Sequence, residues 1–290
     1  MSTRHMRTRF GEVGIDHGAP YFDAMGPDFR AAVAVWRRDG LVVPWPEGGP
    51  QAWIGIPDMA SLITRLAAPH DVTWRTFVNG IMRGARGDWH ISSDHGLHGP
   101  FDAIVTAVPP EQAVPFLALH NLEMARTASA APSRPCWAGL FVFERALPAA
   151  SLVLRDAGPI ALAVCNRAKP LRTNPESWLV HANSEWSEAH LELESEDIAP
   201  LLLSALQDAL DLPVVPANLV AAHRWRNASS SGMGKAALWN ADLKLGVCGD
   251  WLIGPHAECA WTSGRILGRL VNSTFAGVSA LSEMRAVCVL

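Results

Sequence analysis

The sequence predicts a mixed α/β protein, and three observations carry that reading. Phe101–Val108 is a nearly continuous apolar run stopped by Pro109-Pro110, the pattern of a strand buried on both faces. Pro27–Arg38 places Phe29, Ala32, Val33 and Trp36 at i, i+3, i+4 and i+7, the stripe of an amphipathic helix. Towards the C-terminus, Leu245–Asp250 reads as a short strand ending in Gly-Asp, followed by a turn containing Gly and Pro and a helix over Glu258–Leu270. With 290 residues, 49% hydrophobic and 18% charged, the chain has apolar material for one large or two ordinary domains.

The remaining elements follow in order. Glu12–Asp16 is a short strand running into the turn His17-Gly18-Ala19-Pro20-Tyr21-Phe22. Gly40 stands where the first helix needs a C-terminal cap. Leu41–Gly55 holds two short apolar runs among Pro and Gly, a hairpin or loop pair. Asp58 is placed as N-cap of a second amphipathic stretch, Met59–Leu66. Trp74–Met82 and Trp89–Ser93 form a hairpin across Gly84–Asp88. Further strands are expected at Cys136–Phe143, Pro159–Asn166 and Ser177–Ala182, and helices around Ser184–Leu193 and Ile198–Leu210. In the C-terminal helix, Ala260, Ser263 and Gly264 leave room for another backbone or a flat ligand. A strand, a Gly-bearing turn and a helix N-terminus together favour an anionic or electron-rich group.

Several function classes drop out. A net charge of −4 exerts no pull toward nucleic acid or anionic membranes. No apolar stretch approaches the ~20 residues of a membrane span, and no secretory h-region follows the basic N-terminus. Five scattered cysteines without a CxxC pair indicate a reduced, cytoplasmic setting. No GxSxG supports hydrolase chemistry. His90, Asp94, His95 and His98 lie on a hairpin whose alternation splits them between faces, so they read as solvated turn residues and no metal is expected. Asn227–Lys235 has Ser229 where a phosphate loop needs Gly and Ala236 where it needs Ser or Thr, which leaves a surface loop. The acidic run Glu192–Asp197 is a solvated turn between helices. His17 and Tyr21 sit on a strand-ending turn that lines a pocket or, for Tyr21 and Phe22, joins the core.

Taken in order, several motifs resemble the renalase-like branch of the FAD-dependent amine oxidase superfamily. They are Met1-Ser2-Thr3-Arg4, Ile15-Asp16-His17-Gly18-Ala19-Pro20-Tyr21-Phe22, Gly55–Met59, Phe101–Pro109, Glu176–His181, His223-Arg224-Trp225-Arg226 and Gly246–Asp250 with its helix. The resemblance implies a Rossmann-type FAD-binding domain (1–16, 57–110 and 240–290) interleaved with a mixed-sheet substrate domain (17–56 and 111–239). By it, Arg4, Val78, Gly249, Asp250, Glu258 and Ser263 contact FAD, Tyr21 and Trp225 line the substrate cavity, and His17 is the catalytic candidate because imidazole titrates near neutral pH. The implied reaction is hydride transfer from an amine, or from a reduced nicotinamide such as NAD(P)H, to flavin N5, with O2 reoxidising the flavin. The expected partner is a small-molecule substrate, with no nucleic acid and no membrane. Two departures stand out. The family's N-terminal strand-GxGxxG-helix unit is not in this sequence, so the βαβ is incomplete and a start assigned too late is expected. Pro20 stands where the family often has Gln, and proline offers no amide to a flavin. The rival reading is a truncated, non-catalytic relative that binds a ligand or partner. A nicotinamide-only dehydrogenase needs the same Gly-rich unit.

Overall fold

The computed structural model describes residues 1–172, 175–276 and 285–289. In chain order these form β1 (Arg4–Thr8), β2 (Gly11–Ile15), β3 (Phe22–Asp23), α1 (Pro27–Arg38), β4 (Val42–Pro44), β5 (Ala52–Gly55), α2 (Met59–Ala67), β6 (Val78–Arg83), β7 (Trp89–Ser93), β8 (Gly96–Phe101), β9 (Ala103–Thr106), α3 (Pro110–Leu117) and α4 (Leu122–Ser129). There follow β10 (Arg134–Val142), β11 (Val153–Ala157), β12 (Ile160–Cys165), β13 (Ser177–Ala182), α5 (Ser184–Ala189), α6 (Ser195–Ala209), β14 (Leu219–Ser229), β15 (Leu238–Asn240), β16 (Leu245–Val247), α7 (Ala257–Phe275) and β17 (Ala286–Val289).

The chain is a mixed α/β protein whose described residues divide into two compact units. The first joins Met1–Asp71 to Arg134–Ala228, and the second joins Val72–Ser133 to Ser229–Leu290. The sequence reading set its boundaries at 16, 56, 110 and 239, whereas packing sets them near 71, 133 and 228. The hairpin β1–β2 stays in the first unit because Val13 and Ile15 pack on Ala138, Leu140, Val142 and Leu179. Helices α3 and α4 stay in the second because Leu117, Met124 and Ala128 fill its core.

The first unit is organised by a five-stranded sheet in the order β11-β12-β13-β10-β14. Strand β10 explains its burial on both faces. Alternation sends Ala138, Leu140 and Val142 toward the hairpin side, and Trp137 and Phe141 toward Ile198, Leu202 and Leu206 of α6. Gly139 is required there, since a Cβ would come within 2.7 Å of the Phe141 ring. A three-stranded sheet, β3-β5-β4, packs beside α1 in the same unit.

The second unit holds the sheet β15-β16-β9-β17, in which β16 and β17 both run parallel to β9. Ile104, Leu245, Val247 and Trp251 bury themselves with α3 and α4, while Leu267, Val271 and Phe275 of α7 close on Ala103 and Cys248. Strands β6, β7 and β8 make a separate antiparallel sheet. Among the described residues no helix is long and apolar enough to cross a membrane.

Candidate functional site

Each unit contains one polar constellation built at a strand end. In the first, Asp16 leaves β2 with its side chain 1% exposed. Its Oδ1 accepts from Thr3 Oγ1 (2.7 Å) and the Met59 amide (3.0 Å), and its Oδ2 from Lys169 Nζ (2.8 Å) and an Arg172 Nη (3.1 Å). The Met59 N–H opens α2. Thr3 Oγ1 accepts from Ala60 and Asp58 from Ser61, so the first-turn donors of this helix find side-chain acceptors. Burial pushes the Asp16 carboxyl up, but Lys169 and Arg172 outweigh it and hold the pKa at about 2. Burial also lowers Lys169 against the pull of Asp16. Arg172 spends its bonded nitrogen on the Gly55 carbonyl as well (3.0 Å), and its other terminal nitrogen is buried without a partner.

His17, next in sequence, is also buried. Its carbonyl accepts from His181 Nε2 (3.0 Å) and Trp225 Nε1 (3.1 Å), which fixes His181 as the Nε2–H form. The His17 ring lies 5.1 Å from Trp225 and 5.0 Å, edge-on, from His223, and those two are 4.4 Å apart. Burial pushes His17 down to about 4, and His223, Arg4 and His181 add to it. Near neutral pH the ring is therefore uncharged. The near-neutral titration that singled His17 out from sequence is not available in the fold, which leaves it a neutral hydrogen-bonding group with its Nδ1 buried and unpartnered. The approach of the N-terminal strand depends on Gly18, where a Cβ would lie 2.9 Å from the Ser2 amide nitrogen.

The structure brings Trp225 and Arg4 to this cluster, Arg4 as an exposed residue of β1 acting through its charge. Tyr21 is held elsewhere in the same unit. Its hydroxyl accepts from Arg155 (2.8 Å) and its ring lies 5.2 Å from Trp45. His181 and His223 were the unforeseen members. Both lie in motifs that sequence reading quoted, but nothing local marked them as converging on His17.

The other expected cofactor residues belong to the second unit. Val78 starts β6 opposite Ser93, and Glu258 lies in the first turn of α7, which no side chain caps. Gly249 and Ser263 bond to each other, the Gly249 amide donating to Ser263 Oγ at 3.0 Å with Ser263 fully buried. Gly249 also has no room for a side chain, because a Cβ would meet the Trp251 indole at 2.7 Å. The indole is pinned in turn by its bond to the Val108 carbonyl (3.2 Å). Asp250 follows at the carboxyl end of β16. One of its oxygens accepts from the Trp251 amide (2.9 Å), and among the described residues no Lys or Arg bonds to it. Burial raises its pKa. At the carboxyl end of the adjacent β9, Thr106 Oγ1 is buried without a partner.

Other candidate residues are engaged locally. His90 pairs with Asp88 (2.8 Å), His98 with Ser93 (2.8 Å) and His95 with the Arg75 carbonyl (3.3 Å). In the loop after β14, Gly232 and Gly234 take positive φ, and the Met233 and Lys235 amides both donate to the Leu252 carbonyl. That loop leads into β15 and opens no helix.

The class of the protein is thus a mixed α/β fold with a parallel strand–helix unit and a separate antiparallel-sheet unit. No family model matches the sequence. Among solved structures, the chain is similar to a protein assigned as a protoporphyrinogen oxidase from Exiguobacterium sp. 255-15, with a TM-score of 0.58 and 14% identity over 77% of this chain and 53% of that one. It is also similar to cyclohexylamine oxidase from Brevibacterium oxydans IH-35A, with a TM-score of 0.58 and 13% identity over 79% of this chain and 55% of that one. The chain therefore spans about half the length of these structures, and at such identities the likeness is one of fold.

A flavin nucleotide fits the second unit in part. Asp250 offers an acceptor, and the unpartnered Thr106 hydroxyl a further polar group, at the carboxyl ends of parallel strands, where nucleotide hydroxyls bind in open α/β sheets. The pyrophosphate has no cradle among the described residues. The turn from β9 to α3 runs through Pro109 and Pro110, which carry no N–H, and the Gly249 amide is already bonded.

Proposed function

We propose that the chain belongs to a flavin-dependent oxidoreductase of the amine-oxidase type, with the second unit contributing to FAD binding and the first to substrate binding. The observation that carries this reading is the arrangement at the carboxyl ends of β9 and β16. There Asp250, a half-buried carboxylate whose pKa burial raises, and the unpartnered Thr106 hydroxyl lie at the ends of adjacent parallel strands. The likeness in fold to two oxidases supports it, as do the ordered motifs of the renalase-like branch. A bound flavin supplies a hydride acceptor for a C–H next to nitrogen, in an amine or a reduced nicotinamide. The residues of this chain then orient and exclude water. Asp250 takes a sugar or ribityl hydroxyl, while Trp225 and the uncharged His17 and His223 form an aromatic wall suited to a neutral planar substrate. The five cysteines, scattered and without a CxxC pair, support a reduced, cytoplasmic setting for this chain.

A second reading, ligand binding without redox chemistry, is favoured by the Gly249–Ser263 bond and the missing phosphate cradle. Titration of the purified chain with FAD, followed by flavin fluorescence, separates the two. Saturable binding weakened about tenfold in Asp250→Ala supports the flavin reading. A folded chain that leaves FAD fluorescence unchanged contradicts it and favours the second.

A further inference from the structure

The first unit carries a concavity whose walls share no residue with the His17 cluster. This groove of about 590 Å³ lies between the flank of α1 and the sheet β3-β5-β4, within the range of small-molecule sites. Arg30, Arg37 and Arg38 line one wall at i, i+7 and i+8 of the helix, Gln51 and Trp53 line the other, and among the described residues no carboxylate lines it. Ordinary roles account for part of this charge. Arg37 and Arg38 suit the negative end of the helix dipole, Arg38 lies 3.3 Å from Asp39, and Arg30 donates to the Met25 carbonyl. They do not account for Arg37 and Trp53 together. The guanidinium stands 5.9 Å from the centroid of the indole across the groove, with no hydrogen-bond or ion-pair partner among the described residues. A planar cation beside an aromatic face is a receptor for a flat, negatively charged molecule.

We infer that this groove binds a small aromatic carboxylate or phosphate. The ring lies along Trp53 and Arg37, and the acid group is held by Arg37 and Arg38. Arg30 stands seven residues before Arg37, about 10 Å along the helix, and receives a second acid group when the ligand has one at its far end. The inference is independent of the flavin reading.

Calorimetric titration of the purified chain with biphenyl-4-carboxylate, biphenyl-4,4'-dicarboxylate, phenyl phosphate and neutral biphenyl-4-carboxamide tests it. The two carboxylates distinguish one-ended from two-ended recognition, and phenyl phosphate reports which acid group is preferred. Arg37→Gln is expected to weaken every anion about tenfold, Arg37→Lys by less, and Arg30→Gln to weaken the dicarboxylate alone. These positions are exposed, and circular dichroism of each variant checks that the fold is retained. The proposal is overturned if no anion binds saturably below roughly 5 mM, if the carboxamide binds as well as the acids, or if Arg37→Gln leaves all affinities unchanged.

Discussion

Asp16 and Asp250 are both inward-facing carboxylates at the end of a strand, and their surroundings treat them in opposite ways. Asp16 has four donors, two of them cationic, and is held at about 2. Asp250 has one side-chain hydrogen bond, from its neighbour's amide, and burial pushes it up. A buried charge that is fully paired is part of the framework. A half-buried one with spare acceptor capacity is a candidate site for a ligand hydroxyl. The same contrast separates the units. The first spends its charged groups on tying β2, α2 and the Lys169–Arg172 segment together. The second places a half-buried carboxylate and one unpartnered hydroxyl at the carboxyl ends of its parallel strands, although the first also leaves atoms unpartnered, at His17 Nδ1 and Arg172.

The sharpest way to break the comparison is Asp16→Ala. It strands Lys169 and Arg172 without their counter-charge and is expected to cost about 3–5 kcal/mol in denaturant unfolding. The equivalent loss at Asp250 is expected to be far smaller, and equal effects would erase the distinction.

Acid provides the next largest effect. The Asp16 pKa falls from 3.8 to about 2 on folding, so its contribution is present above pH 3.8 and is lost as pH falls toward 2, about 2 kcal/mol in all. His17 acts in the same direction at higher pH. Its pKa falls from 6.5 to about 4, so the unfolded chain binds more protons in that window and stability drops as pH falls through it. Asp250 runs the other way, since a raised carboxyl pKa favours the folded state on acidification. Unfolding midpoints measured at pH 7, 5 and 3 are expected to decline, and to decline less in His17→Phe between pH 7 and 5.

Ser263→Ala removes the acceptor of the half-buried Gly249 amide and is expected to cost about 1 kcal/mol. The smallest effect belongs to Asp250→Asn, which keeps the bond to the Trp251 amide and removes a charge that burial disfavours. Stability is expected to stay within about 1 kcal/mol of the parent or to rise.

Much of this fold was legible because it is written in local pattern. The helix over Pro27–Arg38, the Asp58 cap, which indeed accepts from Ser61, and the strand Ser177–Ala182 stand where periodicity and capping put them. Helices α3 and α4 were not foreseen. Pro115 interrupts the first, and each is only eight residues long, so neither presents a long stripe. Strand β14 was not anticipated as a strand, and its last three residues, Asn227–Ser229, were counted into the surface loop Asn227–Lys235. Trp74–Phe77 was counted into a strand on its apolar character, yet Trp74 and Phe77 are 59% and 71% exposed and precede β6. The Asp16–Lys169–Arg172 knot was invisible for a different reason. Asp16 lies more than 150 residues from Lys169 and Arg172, and only the topology brings them together.

The most direct test of the account is the titration of aspartate side-chain carboxyl carbons by NMR, with and without FAD. Asp16 is expected to stay ionised to about pH 2 and to ignore the nucleotide, while Asp250 titrates above 3.8 and shifts when FAD is added. If Asp250 titrates like Asp16, or if saturating FAD leaves its resonance unmoved, the second unit does not hold a nucleotide through this carboxylate and the account fails.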